Sequence, residues 1–206
     1  MGESMLMKRR RDVSLDEIRD IYERQHYCCI YCNNPVDIAY GRGRDWTLEH
    51  IIPYAVYKWS ELVISDEDRD ELWKAVNHNA NCAIACRKCN ERKDSIVPSL
   101  DYIMDNKVIP DGTKEQFREI YKTCENAIID YNNMLKRLHI KQKGMCPRCN
   151  KRIKYNNSSV RRFDDNKPRV EENALILCSD CSFIVSRGLN RVAGKLLLRS
   201  DSVYTA

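Results

Sequence analysis

The chain has 206 residues, 43% of them hydrophobic and 32% charged, which is room for one large domain or two small ones and too apolar for a disordered chain. No apolar run reaches the roughly 18 to 20 residues that span a bilayer, and the opening MGESMLMKRRRD lacks the apolar core of a signal peptide, so a secreted or membrane-spanning protein is not expected. The net charge of +5 is unevenly placed: residues 1–135 carry 19 Lys and Arg against 24 acids, whereas residues 136–206 carry 16 against 6. Such a basic block suggests a polyanionic partner, nucleic acid first, with a solvated basic face as the plainer alternative.

In chain order, a basic arm (Lys8, Arg9, Arg10, Arg11) suited to a groove or a phosphate backbone, or alternatively to a nuclear address, precedes a helix starting near Ser14. Ser14 and Glu17 have capping-box spacing, and Ile18, Ile21 and Tyr22 form an apolar stripe. The helix leads into CIYC, and VDIAYGRGRDWTLEHIIP then reads as two short strands about a Gly-rich turn. A helix is expected after Ser65, burying Leu72, Trp73 and Val76 and presenting its acids to solvent. Another short one is expected in NERKDS after Cys89. Residues 98–112, with Pro98, Pro110 and Asp111-Gly112, read as a boundary between modules. A long helix capped by Thr113 is predicted to bury Phe117, Ile120, Tyr121, Cys124, Ile128, Tyr131, Leu135 and Leu138 between the two modules.

Eight of the eleven cysteines form four C-x-x-C pairs. Two such knuckles brought together present four thiolates to one tetrahedral Zn²⁺. Nearest pairing predicts two structural zinc sites, Cys29/Cys32 with Cys86/Cys89 and Cys146/Cys149 with Cys178/Cys181. A disulfide framework is the competitor, but it needs a secretory route and does not favour this spacing. Cys28, Cys82 and Cys124 are expected as buried thiols. Zinc thiolates imply a reducing compartment, hence an intracellular, cytoplasmic protein.

The pairs also mark a repeat. Asn81-CAIA-CRKC-Asn90 matches Asn173-ALIL-CSDC-Ser182, and LEHIIP ending at Pro53 aligns with FDDNKP ending at Pro168. This alignment sets Asp164 under Glu49 and Asp165 under His50, so the second copy keeps the cysteines and the leading Asn but lacks the His.

The first copy resembles the HNH, or ββα-metal (His-Me finger), endonuclease family. The resemblance rests on a C-x-x-C, then acid-His-Ile-Ile-Pro (Glu49 to Pro53), Asn81, CRKC, Asn90 and Lys93, all in order within residues 29–93. Glu49 stands where the family more often has Asp, and Asn90 where its name has a second His. The resemblance implies an α+β fold: a small ββα-metal module with a four-cysteine zinc site over residues 1–110, then a long linking helix and a degenerate, basic, zinc-ribbon-like copy over 111–206. It also implies hydrolysis of DNA phosphodiester bonds, with His50 as general base and one catalytic Mg²⁺ or Mn²⁺ at Glu49 and Asn90. Asn81 would hold the His-bearing loop.

The chemistry can be argued beside the resemblance. Imidazole, with an ordinary pKa of about 6.5, can take a proton from water at neutral pH. A hard divalent cation wants oxygen donors, which a carboxylate and an amide carbonyl supply. Adjacent strand residues face opposite ways, so Glu49 and His50 can serve one phosphate only if the strand bends or a helix closes over it. Arg92, Lys93, Lys151, Arg152, Lys154, Arg161 and Arg162 are candidate nucleic-acid contacts, mostly from the basic copy.

Two zinc modules in tandem also resemble compact HNH restriction enzymes, which implies double-stranded DNA as partner and a possible homodimer; a homing, phage or defence nuclease carries the same pattern. The alternative from another class is a non-catalytic zinc factor that binds nucleic acid in transcription or replication. A zinc-stapled protein-interaction module explains the cysteines but not the basic block.

Overall fold

The capping box predicted at Ser14 is present: the Glu17 N–H donates to Ser14 Oγ at 3.2 Å, and the Ser14 N–H donates to the Glu17 carboxylate at 2.9 Å. It starts α1 (Leu15–Arg24), whose Ile18 and Ile21 are buried. The computed structural model describes residues 12–39, 45–60, 65–93, 95–154, 158–186, 191–192 and 195–196; the basic arm at Lys8 to Arg11 lies outside them.

Among the described residues, only the second of the two strands expected before Pro53 forms. Residues 36–39 carry no strand, and β1 (Trp46–His50) pairs antiparallel with β2 (Cys82–Cys86), His50 opposite Cys82 and Trp46 opposite Cys86. The intervening chain forms α2 (Tyr54–Trp59) and α3 (Asp66–Val76), the latter capped by Ser65 as predicted. Leu72 and Val76 of α3 are buried, whereas Trp73 is half-buried. The next helix, α4 (Arg87–Lys93), begins before Cys89 rather than after it, because the knuckle itself forms its first turn. It packs on both β1 and β2.

Residues 98–112 are more than a boundary. They contain α5 (Leu100–Met104), and the segment is tied to the first knuckle where Asn106 Nδ2 donates to Ile30 O at 2.6 Å and the Tyr102 hydroxyl to Tyr31 O at 3.3 Å. The long helix α6 (Asp111–Lys141) is capped at Pro110, not Thr113, since the Thr113 and Lys114 N–H groups already bond to Pro110 O. The predicted stripe is buried, joined by Ala127 and Met134, with Tyr121 half-buried.

After α6 come β3 (Ser158–Arg162) and β4 (Ala174–Cys178), antiparallel, with α7 (Ser179–Ser186) packed on both. A short hairpin, β5 (Arg191–Val192) with β6 (Lys195–Leu196), follows. α6 contacts α2, α3 and α5 on one side and β4 on the other, so one buried cluster runs through it from the first copy into the second. The architecture is α+β, with two-stranded antiparallel sheets about one long helix.

The repeat extends beyond the motif residues. Gln25 and Gln142 each follow a helix, α1 and α6, and both are buried. Gln25 Oε1 accepts the Ile84 N–H at 2.7 Å while its Nε2 donates to Ile84 O at 3.0 Å. Gln142 does the same to Ile176, at 2.8 and 2.9 Å. Each amide thus fills the open edge of a two-stranded sheet where a third strand would bond. The turns after them use left-handed backbone at matching places: His26 and Tyr27 in one copy, Lys143 and Gly144 in the other, then Asn33 and Asn150.

Ladder register corrects the motif alignment by three residues. Glu49 lies opposite Ala83 and His50 opposite Cys82; in the second copy Arg161 lies opposite Leu175 and Arg162 opposite Ala174. The residues structurally equivalent to Glu49 and His50 are therefore Arg161 and Arg162, not Asp164 and Asp165. Matching on Pro168 failed because the second copy crosses from strand to Asn by a much shorter loop, and the proline there has no fixed relation to the strand.

Replacing Gln142 with Leu leaves the Ile176 N–H buried without its acceptor, and is expected to cost about 2 kcal/mol of stability, read as a lowered urea midpoint with unchanged slope.

Candidate active site and metal centres

The two predicted cysteine sets come together. In each, the four sulfurs lie within 4.8 Å of one another. Cys32 and Cys86 sulfurs are 3.9 Å apart, and Cys149 and Cys178 sulfurs 3.7 Å apart. A tetrahedral Zn²⁺ with Zn–S bonds of about 2.3 Å spaces its sulfurs by about 3.8 Å, so both clusters can hold zinc. Backbone N–H groups of Tyr31 and Cys86 point at Cys29 Sγ (3.5 and 3.3 Å), and Arg148 donates to Cys181 Sγ at 3.2 Å, an outer layer that favours thiolate. Burial first, then the crowding of neighbouring sulfurs, pushes the Cys89 thiol well above its ordinary value, and burial raises Cys178 likewise. Four thiolates at this spacing need a cation to offset them.

The three remaining thiols divide. Cys82 and Cys124 are buried, and burial pushes Cys124 up to about 12, leaving it neutral. Cys28 is half-exposed, against expectation, and its Sγ donates to His26 O at 3.2 Å rather than joining a cluster.

The strand β1 ends at His50, where the chain turns through Ile51-Ile52-Pro53 into α2. Asn81, fully buried, holds that turn: its Oδ1 accepts the Ile52 N–H at 2.7 Å, its Nδ2 donates to Ile52 O at 3.1 Å and Val76 O at 2.7 Å, and its own carbonyl accepts the Ile51 N–H at 2.9 Å. Asn173 repeats the device on Asp164 at 2.9 Å and 2.8 Å. A single amide therefore pins the backbone just beyond the catalytic candidate. His78, near Asn81 in sequence, instead caps a turn by accepting the Ala80 N–H at 3.1 Å.

Lys93 differs from its expected place. Predicted to reach phosphate from a helix surface, it is buried, with its ammonium ion-paired to Glu49 and donating to His50 O at 2.9 Å. The closure needed over β1 thus comes from α4, whose last turn grips the strand end. Asn90 precedes Lys93 by three residues and so shares its helix face. A carboxylate and an amide oxygen suit a hard cation, with the Lys93 ammonium as competitor for the same carboxylate.

Glu49 and His50 both line one polar cleft of about 320 Å³. Its first-copy side is completed by Pro53, Tyr54, Lys58 and Trp59, and its far side by Val160, Arg161, Arg162, Asp165 and Arg169 of the second copy. The His50 and Tyr54 rings are 6.5 Å apart, and Lys58 Nζ sits 5.2 Å from the Tyr54 ring centre. Burial, aided by Tyr57, pushes the Tyr54 hydroxyl up to about 12, so it stays a neutral donor. Arg161 and Arg162 are thus brought to the same cleft as His50. Lys151, Arg152 and Lys154 are not; they are exposed on the second copy's first knuckle, Lys151 3.6 Å from Asp180. Arg92 lines a separate groove between α4 and α7 with Arg87, Lys88 and Phe183. Lys58 and Arg169 carried no sequence signal, because neither lies in a motif and only the packing of the copies brings them to the cleft.

Compared with protein-family models, with curated proteins and with solved structures, the chain finds no match. Among the described residues, no helix is long and apolar enough to cross a membrane.

Purified protein is expected to carry two equivalents of zinc by atomic emission. Cys89→Ser and Cys178→Ser should each remove about one. Acidification should release both ions, since protons compete for thiolate.

Proposed function

We propose that the protein is a metal-dependent endonuclease of HNH type that hydrolyses phosphodiester bonds in DNA, with zinc in both cysteine clusters as scaffold. The observation that carries this reading is the cleft: His50 and Glu49 open into one polar space whose opposite wall is cationic. A phosphate oxyanion needs that surrounding charge, and a water attacking it needs a base within reach.

In this reading His50 takes the proton from water, through whichever ring nitrogen faces the cleft. The backbone that carries it is held by the β1–β2 ladder on one side and by the Asn81-pinned turn on the other, which supports a base pre-organised before substrate arrives. Glu49 and Asn90 would hold one Mg²⁺ or Mn²⁺. When bound, that ion supplies charge to the departing 3′-oxygen. Lys93 keeps the Glu49 carboxylate compensated in the absence of the ion and fixes the strand end through His50 O. Arg92 and the exposed Lys151, Arg152 and Lys154 are suited to backbone phosphates away from the cleft, and double-stranded DNA is the expected partner.

The test is nicking of supercoiled plasmid with Mg²⁺ or Mn²⁺. Wild-type protein should cut, and His50→Ala should lose at least about a hundredfold in rate with both zinc ions retained. Equal cutting by the two proteins removes His50 from the chemistry. Binding of DNA with no cutting under either metal points instead to a non-catalytic zinc factor.

Neutralising Lys151, Arg152 and Lys154 together should lower the salt slope of DNA binding by about 2 to 3, measured as log affinity against log salt. An unchanged slope places these residues off the DNA.

A further inference from the structure

The second copy holds, at the strand positions of Glu49 and His50, two arginines, and these line the cleft of the first copy. The substitution is a reversal of charge in place. Where the first copy has Glu49 with Lys93 reaching it from the following helix, the second has Arg161 on the strand and Val185 at the helix position of Lys93. A site organised in this way does not attract a cation. It attracts an anion.

Arg161 is held in a specific way. Its Nη2 donates to Ser182 Oγ at 2.7 Å, and Ser182, buried, stands where Asn90 stands in the first copy. Its Nε is buried and, among the described residues, has no hydrogen-bond partner, and no carboxylate of the described residues pairs with the guanidinium. Arg162 beside it is already engaged by its own turn, donating to Asp165 O at 2.8 Å and Lys167 O at 3.2 Å, with the Asp165 carboxylate 3.4 Å away. Arg161 is therefore a charged group fixed at one end by Ser182, with a buried donor unused and, among the described residues, no carboxylate paired to it, and it lines the same cleft as His50. Guanidinium prefers the paired oxygens of a phosphate to any neutral acceptor.

We propose that Arg161 is the anion-binding half of a composite site, in which a phosphate group is held between His50 of one copy and the guanidinium of the other. The copy without a histidine thus completes the cleft of the copy that has one. On the nuclease reading, on which this assignment of the ligand rests, the group is the scissile phosphodiester, and Arg161 contacts its non-bridging oxygens.

The full-length, zinc-loaded protein should be titrated with inorganic phosphate while the His50 ring is followed by NMR. Wild type is expected to show a saturable His50 shift. Arg161→Gln should weaken it about tenfold or more, Arg161→Lys less, and Lys122→Gln, at an exposed position of α6, not at all. Ser182→Ala, which frees the guanidinium without removing it, should weaken it in the same direction as a check that does not depend on one variant's folding. In the cleavage assay Arg161→Gln should lower kcat about tenfold with DNA affinity moved less than about threefold. Phosphate affinity equal in wild type and Arg161→Gln, or a His50 ring that phosphate does not perturb, overturns the composite site. Cleavage that needs His50 but not Arg161 overturns it too and leaves the nuclease reading standing. An Arg161-dependent phosphate site in a protein that cuts no DNA does the reverse: the nuclease reading fails and the composite anion site stands.

Discussion

Each copy is organised around one requirement: two cysteine pairs far apart in sequence must bring four sulfurs within 4.8 Å of one another. A hairpin of two five-residue strands does not hold itself together in water, and neither copy has enough chain to bury a large core alone. Closing the sulfur cluster joins the turn after the first helix to the start of the last one, and the hairpin is caught between them. The strand ends, and whatever side chains they carry, are positioned as a consequence.

Within that frame, backbone groups that a two-stranded sheet leaves open are met by side-chain amides. Gln25 and Gln142 occupy the sheet edges, and Asn81 and Asn173 occupy the turns beyond the outer strand ends. Their repetition in both copies reflects a shared geometric need: a buried N–H must find an acceptor, and among the described residues no third strand offers one. The strand ends are where the copies diverge. One carries Glu49 and His50, backed by a buried lysine; the other carries two arginines, the first backed by a buried serine. A fold that fixes the backbone so firmly tolerates opposite charges at the same place.

Much of this was legible in the residues. The capping box at Ser14, the cap at Ser65, the buried stripe of α6 and the pairing of the knuckles all follow from local spacing, since each depends on residues within a few turns or on one simple coordination rule. Errors arose where long-range pairing competes with local pattern. Residues 36–39 alternate like a strand, yet the partner of β1 is β2, which arrives only after α3. Lys93 looks like one more basic residue on a polar helix, but the end of that helix is folded against Glu49. Pro168 invited an alignment that the ladder of β3 and β4 contradicts.

The residues read along the chain already supply the inventory: which thiols cluster, where helices start, that a histidine follows a carboxylate, and that the last third of the chain is basic. Those are matters of spacing and composition. Tertiary structure alone decided which of the many basic residues meet that histidine. Of the seven candidate contacts, only Arg161 and Arg162 line its cleft, joined by Lys58 and Arg169, while Lys93 turns inward. The physical reason is that two copies packed about α6 set strand end against strand end, and a juxtaposition made by packing leaves no trace in the distance between residues along the chain.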